Sequence, residues 1–135
     1  MKIDHIGLAV KSLDEMIPFY QNLLGQDQPE IEEIDTQGVR VAIFQTGESR
    51  VELLEALNTD SPIARFIEKR GEGMHHLALA VEGIEELISS LKKEGVRFIG
   101  DKPVIGAGGK KIIFVHPAST HGVLLELCEA VEEES

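Results

Sequence analysis

Two short segments of this chain share the same alternation of small and large apolar residues. They are His5–Val10 (HIGLAV) and His76–Val81 (HLALAV), with an offset of 71 residues between the two histidines. Because alternate side chains of a strand point to opposite faces, each histidine shares a face with glycine or alanine, while leucine, isoleucine or valine fills the other face. The pattern predicts two equivalent strands, each with one large apolar face that packs on a helix.

An amphipathic helix is predicted after each of these strands. Apolar residues recur at positions i, i+3, i+4 and i+7, which line one side of a helix. The first stripe is Leu13, Met16, Ile17 and Tyr20, and the second, at the same offset, is Ile84, Leu87, Ile88 and Leu91. Ser12 and Glu15 form a capping box at the start of the first helix. Each half therefore begins as a strand followed by a helix.

A second pair of similar segments closes the two halves. Val51–Ala56 (VELLEA) matches Leu125–Ala130 (LELCEA) at an offset of 74. The second half therefore holds three extra residues, which we place in the Gly106–Gly109 loop or the Pro117–Gly122 turn. Strands are predicted near 29–35, 38–45 and 49–56 in the first half, and near 96–100, 111–116 and 122–129 in the second.

The duplication predicts a single domain over residues 1–135. It is made of a first module (1–58), a linker helix (61–71) and a second module (72–130), followed by a short acidic tail. Ser61 and Pro62 are typical of a helix start, and Gly71 is typical of a helix end. The order β-α-β-β-β in each module predicts an α+β fold.

Four residues at equivalent positions of the two halves are candidate metal ligands. Glu52 and Glu126 sit in the closing strands between bulky apolar residues, an unusual place for a surface charge. If the halves pack around a pseudo-two-fold axis, these glutamates meet His5 and His76. Two imidazoles and two carboxylates suit Mn, Fe, Co, Ni or Zn better than Ca or Mg. An octahedral ion held in this way would keep two positions open for water or substrate oxygens.

The charge and cysteine content exclude several classes of function. The formal net charge is −11, from 24 acidic and 13 basic residues, which argues against nucleic acid and against anionic membrane surfaces as partners. Part of the excess lies in the tail at Glu132–Glu134. The lone cysteine, Cys128, fits a reducing compartment. We find neither a signal-peptide pattern nor a membrane-spanning apolar run, so a cytoplasmic location is predicted.

Several motifs of the chain resemble the vicinal oxygen chelate superfamily and, within it, the methylmalonyl-CoA epimerase family. They are Asp4–Val10, Asp60–Phe66, Gly73–Leu79, Gly106–Lys110 with Phe114–Pro117, and Gly122–Leu127. The resemblance implies paired βαβββ modules that form a cupped mixed eight-stranded sheet with helices on its outer face, usually in a homodimer. It also implies one divalent metal ion (Co, Mn, Ni or Zn) with His5, His76 and Glu126 as ligands. Glu52 completes the set, at a position that is glutamate or glutamine in relatives.

The activity implied by the resemblance is the interconversion of (2R)- and (2S)-methylmalonyl-CoA, by proton transfer at C2 through a metal-stabilised enolate. Glu126 and Glu52 are the candidate acid–base groups. Some members use a further glutamate on the preceding strand, where this chain has Val41, so the second acid–base group is left open. The candidate contacts to the acyl-CoA substrate are Gly108, Gly109, Lys110 and Lys111.

Two other functions remain open at this point. A glyoxalase I-type lactoylglutathione lyase would use the same four ligands, and the glutamate at position 52 is similar to that family. A small-molecule-binding protein of the bleomycin-resistance type would need a cavity but neither metal nor catalysis. An iron-dependent ring-cleaving dioxygenase is a weaker third alternative, since a domain of this size with four ligands leaves less room for oxygen and a catechol.

Overall fold

The computed structural model of the chain describes residues 1–131, so the predicted acidic tail at 132–134 lies outside the described residues. Eight strands and three α-helices follow one another along the described chain. In order they are β1 (Lys2–Ala9), α1 (Leu13–Leu24), β2 (Glu30–Ile34), β3 (Val39–Thr46), β4 (Ser49–Ala56), α2 (Pro62–Arg70), β5 (Gly73–Ala80), α3 (Ile84–Lys93), β6 (Phe98–Ile105), β7 (Lys111–Val115) and β8 (Leu125–Glu129).

Each half of the chain repeats the order β-α-β-β-β, which confirms the predicted α+β fold of two tandem modules. In the strand order of the mixed sheet, the first repeat contributes β2-β3-β4-β1 and the second contributes β5-β8-β7-β6. The first and last strands of each repeat run parallel, and the other pairs within a repeat run antiparallel. Helix α2 stands between the repeats where the linker helix was predicted, with Ser61 as its N-cap and Gly71 at its end.

The chain divides into two compact units, of which one comprises His5–His75. In this unit α1 packs on one face of the sheet, where Leu13 and Ile17 meet Phe44 and Leu53. This is the large apolar face predicted from the alternation, because Leu8 packs on the same cluster.

Helix α2 packs on the opposite face of the same unit. Its Ile63 is buried against Ala9, Val41 and Leu54. Since Ala9 shares a strand face with His5, α2 covers one end of the face that carries the histidine. The linker is therefore part of the first unit's core.

The other unit comprises Met1–Asp4 together with the chain from His76 onward. Its helix α3 buries Ile84 and Ile88 against Val81, Ile113 and Leu127. This arrangement repeats the packing of α1 in the first unit, as the shared apolar stripes predicted.

Strand pairing decides where the three extra residues of the second half lie. Ala42 pairs with Leu53 in the first repeat, and Ile113 pairs with Leu127 in the second. The β3 and β7 positions still differ by 71, whereas the β4 and β8 positions differ by 74. The extra residues therefore lie between β7 and β8, in the Pro117–Gly122 turn, and not in the glycine loop.

Two strand boundaries differ from those predicted. Strand β6 continues to Ile105 instead of ending near residue 100, with a register shift between Ile99 and Val104. Pro103 lies within this shift and has no N–H for the ladder, so the pairing is interrupted and then resumes. Strand β8 begins at Leu125 because the three preceding residues belong to the longer turn. Within residues 1–131, no helix is long and apolar enough to cross a membrane.

Candidate active site

The first repeat holds a buried histidine–glutamate pair. His5 Nδ1 lies 3.4 Å from Glu52 Oε2, and the two side chains are 6% and 3% exposed. Parallel pairing of β1 with β4 sets Gly7 beside Glu52. Because glycine has no side chain, the carboxylate has room on the same face as the imidazole.

A cation lies next to this pair. Arg50 Nη2 is 3.3 Å from the same Glu52 oxygen, and the arginine side chain is 15% exposed. Arg50 and Glu52 are two residues apart on β4, so they share a strand face. A largely buried guanidinium beside the carboxylate orients it through a charge-assisted contact.

The second repeat holds the equivalent pair. His76 Nε2 lies 3.6 Å from Glu126 Oε1, and both side chains are 6% exposed. Here Ala78 is the small residue paired with Glu126. The ring of Phe114 meets the His76 ring edge-on at 5.6 Å between centroids, which restricts the orientation of the imidazole.

Both pairs fit the geometry of a divalent metal site. Two ligands that bond one ion at about 2.1 Å stand roughly 3.0–3.4 Å apart, depending on whether the ion is octahedral or tetrahedral. The measured separations of 3.4 Å and 3.6 Å are close to this range. Each repeat therefore supplies one imidazole and one carboxylate, buried and in contact, of the kind that binds transition-metal ions.

The glycine loop before β7 has an unusual backbone. Gly108 and Gly109 adopt positive φ angles of 70° and 72°, which residues with side chains rarely adopt. A Cβ at Gly106 would lie 2.7 Å from Ile112 Cδ1, so the loop packs closely against the start of β7.

The two lysines after this loop have different environments. Lys110 Nζ lies 2.7 Å from Asp4 Oδ1, and these side chains are 23% and 8% exposed. Lys111 Nζ lies 2.9 Å from Glu85 Oε1 on the surface. Lys110 and Asp4 also line a cavity of about 1000 Å³ together with Ala80, Cys128 and Ala130.

The remaining histidines and the cysteine have structural environments. Burial lowers the pKa of His75 to about 4, and its ring packs edge-on against Phe66 at 5.0 Å. His116 accepts a hydrogen bond from the Ala118 N–H in the turn after β7, and His121 lies in the same turn with φ 58°. Burial, with Asp4 and Glu126 nearby, raises the pKa of the Cys128 thiol to about 12.

Glu55 and Glu129 cap helices. The Glu55 carboxylate accepts from the Leu13 N–H at the first residue of α1. The Glu129 carboxylate accepts from the Gly83 and Ile84 N–H groups at the start of α3. Carboxylates at these positions satisfy helix N–H groups and interact favourably with the helix dipole, so both glutamates have a structural role.

Val41 stands at the position where some epimerases have a further glutamate. Both its side chain and its surroundings are apolar. Val41 is 1% exposed and belongs to the cluster under α2, with Ala9 and Leu54. A carboxylate at this position would be buried among aliphatic side chains.

Residues 4–114 match the Glyoxalase/Bleomycin resistance protein/Dioxygenase superfamily. The chain belongs to this superfamily. Among its curated relatives, human mitochondrial methylmalonyl-CoA epimerase is 38% identical over 96% of this chain and 74% of its own length. The ethylmalonyl-CoA/methylmalonyl-CoA epimerase of Cereibacter sphaeroides is 36% identical over 93% of this chain and 96% of its own.

A solved superfamily structure agrees with these relatives. A Streptomyces coelicolor methylmalonyl-CoA epimerase variant in complex with 2-nitronate-propionyl-CoA superposes with a TM-score of 0.92 at 35% identity, over 100% of this chain and 98% of that one. The resemblance predicted from the sequence motifs is thus confirmed.

Sequence reasoning missed two charged residues near the site. Arg50 carried a usable signal, because it lies two positions before Glu52 and strand parity sets it on the same face. Asp4 carried no such signal. Strand parity predicts that it points to the face opposite His5, and its partner Lys110 is 106 positions away in sequence.

Proposed function

We propose that this chain is a metal-dependent methylmalonyl-CoA epimerase. It interconverts the 2R and 2S forms by proton transfer at C2, with one divalent ion bound by His5, Glu52, His76 and Glu126. The observation that carries the proposal is a buried imidazole–carboxylate pair in each repeat, in a chain whose similarity to methylmalonyl-CoA epimerases extends over nearly its whole length.

A divalent ion bound there would supply a Lewis acid for the negative charge that develops when the C2 proton is removed. The carbon lies between a thioester and a carboxylate, so its anion is delocalised as an enolate. Inversion needs a group that takes the proton on one side and a group that delivers a proton on the other. Glu126 and Glu52 are the proposed groups, because repetition of the module sets them at equivalent positions.

The glycine loop and its lysines are proposed to bind the acyl-CoA. Gly108 and Gly109 have no side chains, so a ligand can approach their backbone closely. Lys110 and Lys111 follow directly and offer charged donors to phosphate or carboxylate oxygens. We also propose that the protein is a cytoplasmic homodimer.

The deciding experiment incubates purified protein with methylmalonyl-CoA in deuterated water, with Co²⁺ or Mn²⁺ added or with chelator. We expect deuterium at C2 in the metal-loaded protein, and a loss of exchange in His5→Ala and His76→Ala. His121→Asn is the matched control, since His121 lies in an exposed turn, and it should exchange like wild type. If no metal produces label at C2 in the folded wild-type protein, the assignment is wrong.

A glyoxalase I-type lyase remains the second candidate, because position 52 is glutamate. The same preparations should be assayed with the hemithioacetal of methylglyoxal and glutathione. Turnover of that adduct without exchange at C2 of methylmalonyl-CoA would favour the lyase. Ligand binding without either activity would favour a binding protein.

A further inference from the structure

An aromatic ring lies beside the imidazole–carboxylate pair of the second repeat. Phe114 on β7 is the antiparallel partner of Glu126 on β8, so the two side chains share a face of the sheet and their Cβ atoms are about 4.5–5.5 Å apart. The same ring meets the His76 ring edge-on at 5.6 Å between centroids. Phe114 is therefore next to both members of the pair.

Part of this ring is accessible. Ile113 and Val115, its neighbours on β7, point to the opposite face and are each 3% exposed in the core under α3. Phe114 itself packs against a small cluster of strand residues and is only partly buried. An apolar surface next to two buried polar groups is thus open to contact by a ligand.

The first repeat has a smaller, covered residue at the equivalent position. At the offset of 71 the counterpart of Phe114 is Ile43, which pairs with Glu52 in the same way. Ile43 is 8% exposed and belongs to the hydrophobic cluster that includes Ile63 of α2. Of these two equivalent apolar residues, Phe114 is therefore the one with a surface that a substrate can contact.

We propose that Phe114 limits the size of the C2 substituent in the acyl-CoA substrate, an inference that rests on the proposed function. Glu126 is one of the two proposed proton-transfer groups, so C2 has to approach its carboxylate to within about 3–3.5 Å. C2 carries a proton, a thioester, a carboxylate and one alkyl group. The alkyl group is the apolar one of these, and Phe114 is the large apolar side chain beside Glu126.

The alanines on the other side of Glu126 are too small to set such a limit. Ala78 pairs with Glu126 from β5, and Ala80 follows two residues later on the same strand face. A methyl side chain extends only one carbon from the backbone, whereas the ring of Phe114 reaches across β8 to the imidazole of His76. The ring thus decides how much room is left for an alkyl group next to the carboxylate.

The test compares C2 deuterium exchange of methylmalonyl-CoA and ethylmalonyl-CoA by the purified, metal-loaded protein. One methylene in a tight apolar pocket changes kcat/KM by roughly 10–200-fold. We therefore expect Phe114→Leu to raise the ratio of kcat/KM for ethylmalonyl-CoA over methylmalonyl-CoA by about tenfold or more. Ile43→Val is the matched control, because it also shortens the apolar side chain opposite a ligand carboxylate, and its ratio should equal that of wild type.

A second measurement does not depend on turnover. The sequence contains no tryptophan, so Phe114→Trp places a single indole at the proposed contact. In the Zn²⁺-loaded protein its fluorescence emission should change on addition of methylmalonyl-CoA and stay constant with desulfo-CoA, which lacks the acyl group. Phe19→Trp, at an exposed position of α1, is the control and should respond to neither.

The outcomes separate this inference from the proposed function. If wild type exchanges the C2 proton but folded Phe114→Leu keeps the wild-type substrate ratio, Phe114 does not limit the substituent. An indole in Phe114→Trp that responds equally to both ligands, or to neither, also overturns the inference, while C2 exchange by wild type keeps the epimerase assignment. If wild type exchanges the C2 proton of neither substrate, the inference and the proposed function are both overturned.

Discussion

Arg50 and Glu52 form an ion pair on β4, in which Arg50 Nη2 lies 3.3 Å from Glu52 Oε2. The same oxygen lies 3.4 Å from His5 Nδ1. At the offset of 74 that relates Glu52 to Glu126, the counterpart of Arg50 is Leu124. The position two residues before the carboxylate thus holds a cation in the first repeat and an aliphatic residue in the second.

Removal of the Arg50 side chain should weaken metal binding. Groups that hold a ligating carboxylate in place typically contribute 10–100-fold to metal affinity, so we expect Arg50→Leu to bind Co²⁺ about 10–100-fold more weakly in a calorimetric titration. Arg50→Lys should recover part of the loss. The visible Co²⁺ spectrum should shift as the Glu52 carboxylate reorients.

Leu124→Met is the matched control for this prediction, because it changes the equivalent position of the second repeat without a change of charge. Its Co²⁺ affinity should equal that of wild type. If folded Arg50→Leu protein has the wild-type affinity and spectrum, Arg50 does not position the ligand.

The thiol of Cys128 should be inert in the folded protein. Its side chain is 1% exposed, and burial raises its pKa to about 12. At pH 8 the thiolate is then about a thousandfold less abundant than in a free cysteine. Ellman's reagent should therefore react slowly with native protein and rapidly after denaturation. Val123→Cys in a Cys128→Ala background, at an exposed position, should react at the ordinary rate; equally fast labelling of native Cys128 would contradict the burial.

Stability should fall below neutral pH because of His75. Burial lowers its pKa from 6.5 to about 4, so between these values the unfolded chain takes up a proton that the folded chain does not. The contribution is fully present above pH 6.5 and is lost as the pH falls towards 4, by at most about 3 kcal/mol. Urea titrations at several pH values should show this slope. The dependence of the free energy of unfolding on pH should become weaker in His75→Met and stay the same in His121→Asn. If His75→Met leaves it unchanged, His75 is not its cause.

Gly38 should be sensitive to a single methyl group. Its φ is +64°, and an added Cβ would lie 2.9 Å from Cβ of Ser61, the cap residue of α2. Gly47 has a similar φ of +69° with nothing within 4 Å, so Gly47→Ala isolates the backbone cost of about 1–2 kcal/mol. Gly38→Ala should lower the free energy of unfolding by roughly 1–3 kcal/mol more than Gly47→Ala does, because of the clash with Ser61. If both substitutions lower the free energy of unfolding equally in urea denaturation, Ser61 moves aside without energetic cost and the predicted clash is absent.

Much of the architecture could be predicted because the same sequence pattern occurs in both repeats, so each occurrence supports the interpretation of the other. The alternation at His5 and at His76 predicted which strand faces pack on α1 and α3, since period-two and helical patterns are local properties of the chain. The same logic singled out Glu52 and Glu126, which the structure indeed places beside the histidine of their own repeat.

The sequence alone therefore determined the duplicated βαβββ order, the apolar faces and the candidate ligands. Strand parity and helix periodicity depend only on residues that are close together in the sequence. The tertiary structure decided the rest. It set α2 on the histidine face of the first repeat, paired Lys110 with Asp4 across 106 positions and left a cavity in the second repeat. Such features depend on which segments far apart in the chain pack together, and this packing produces no local sequence pattern from which it could be predicted.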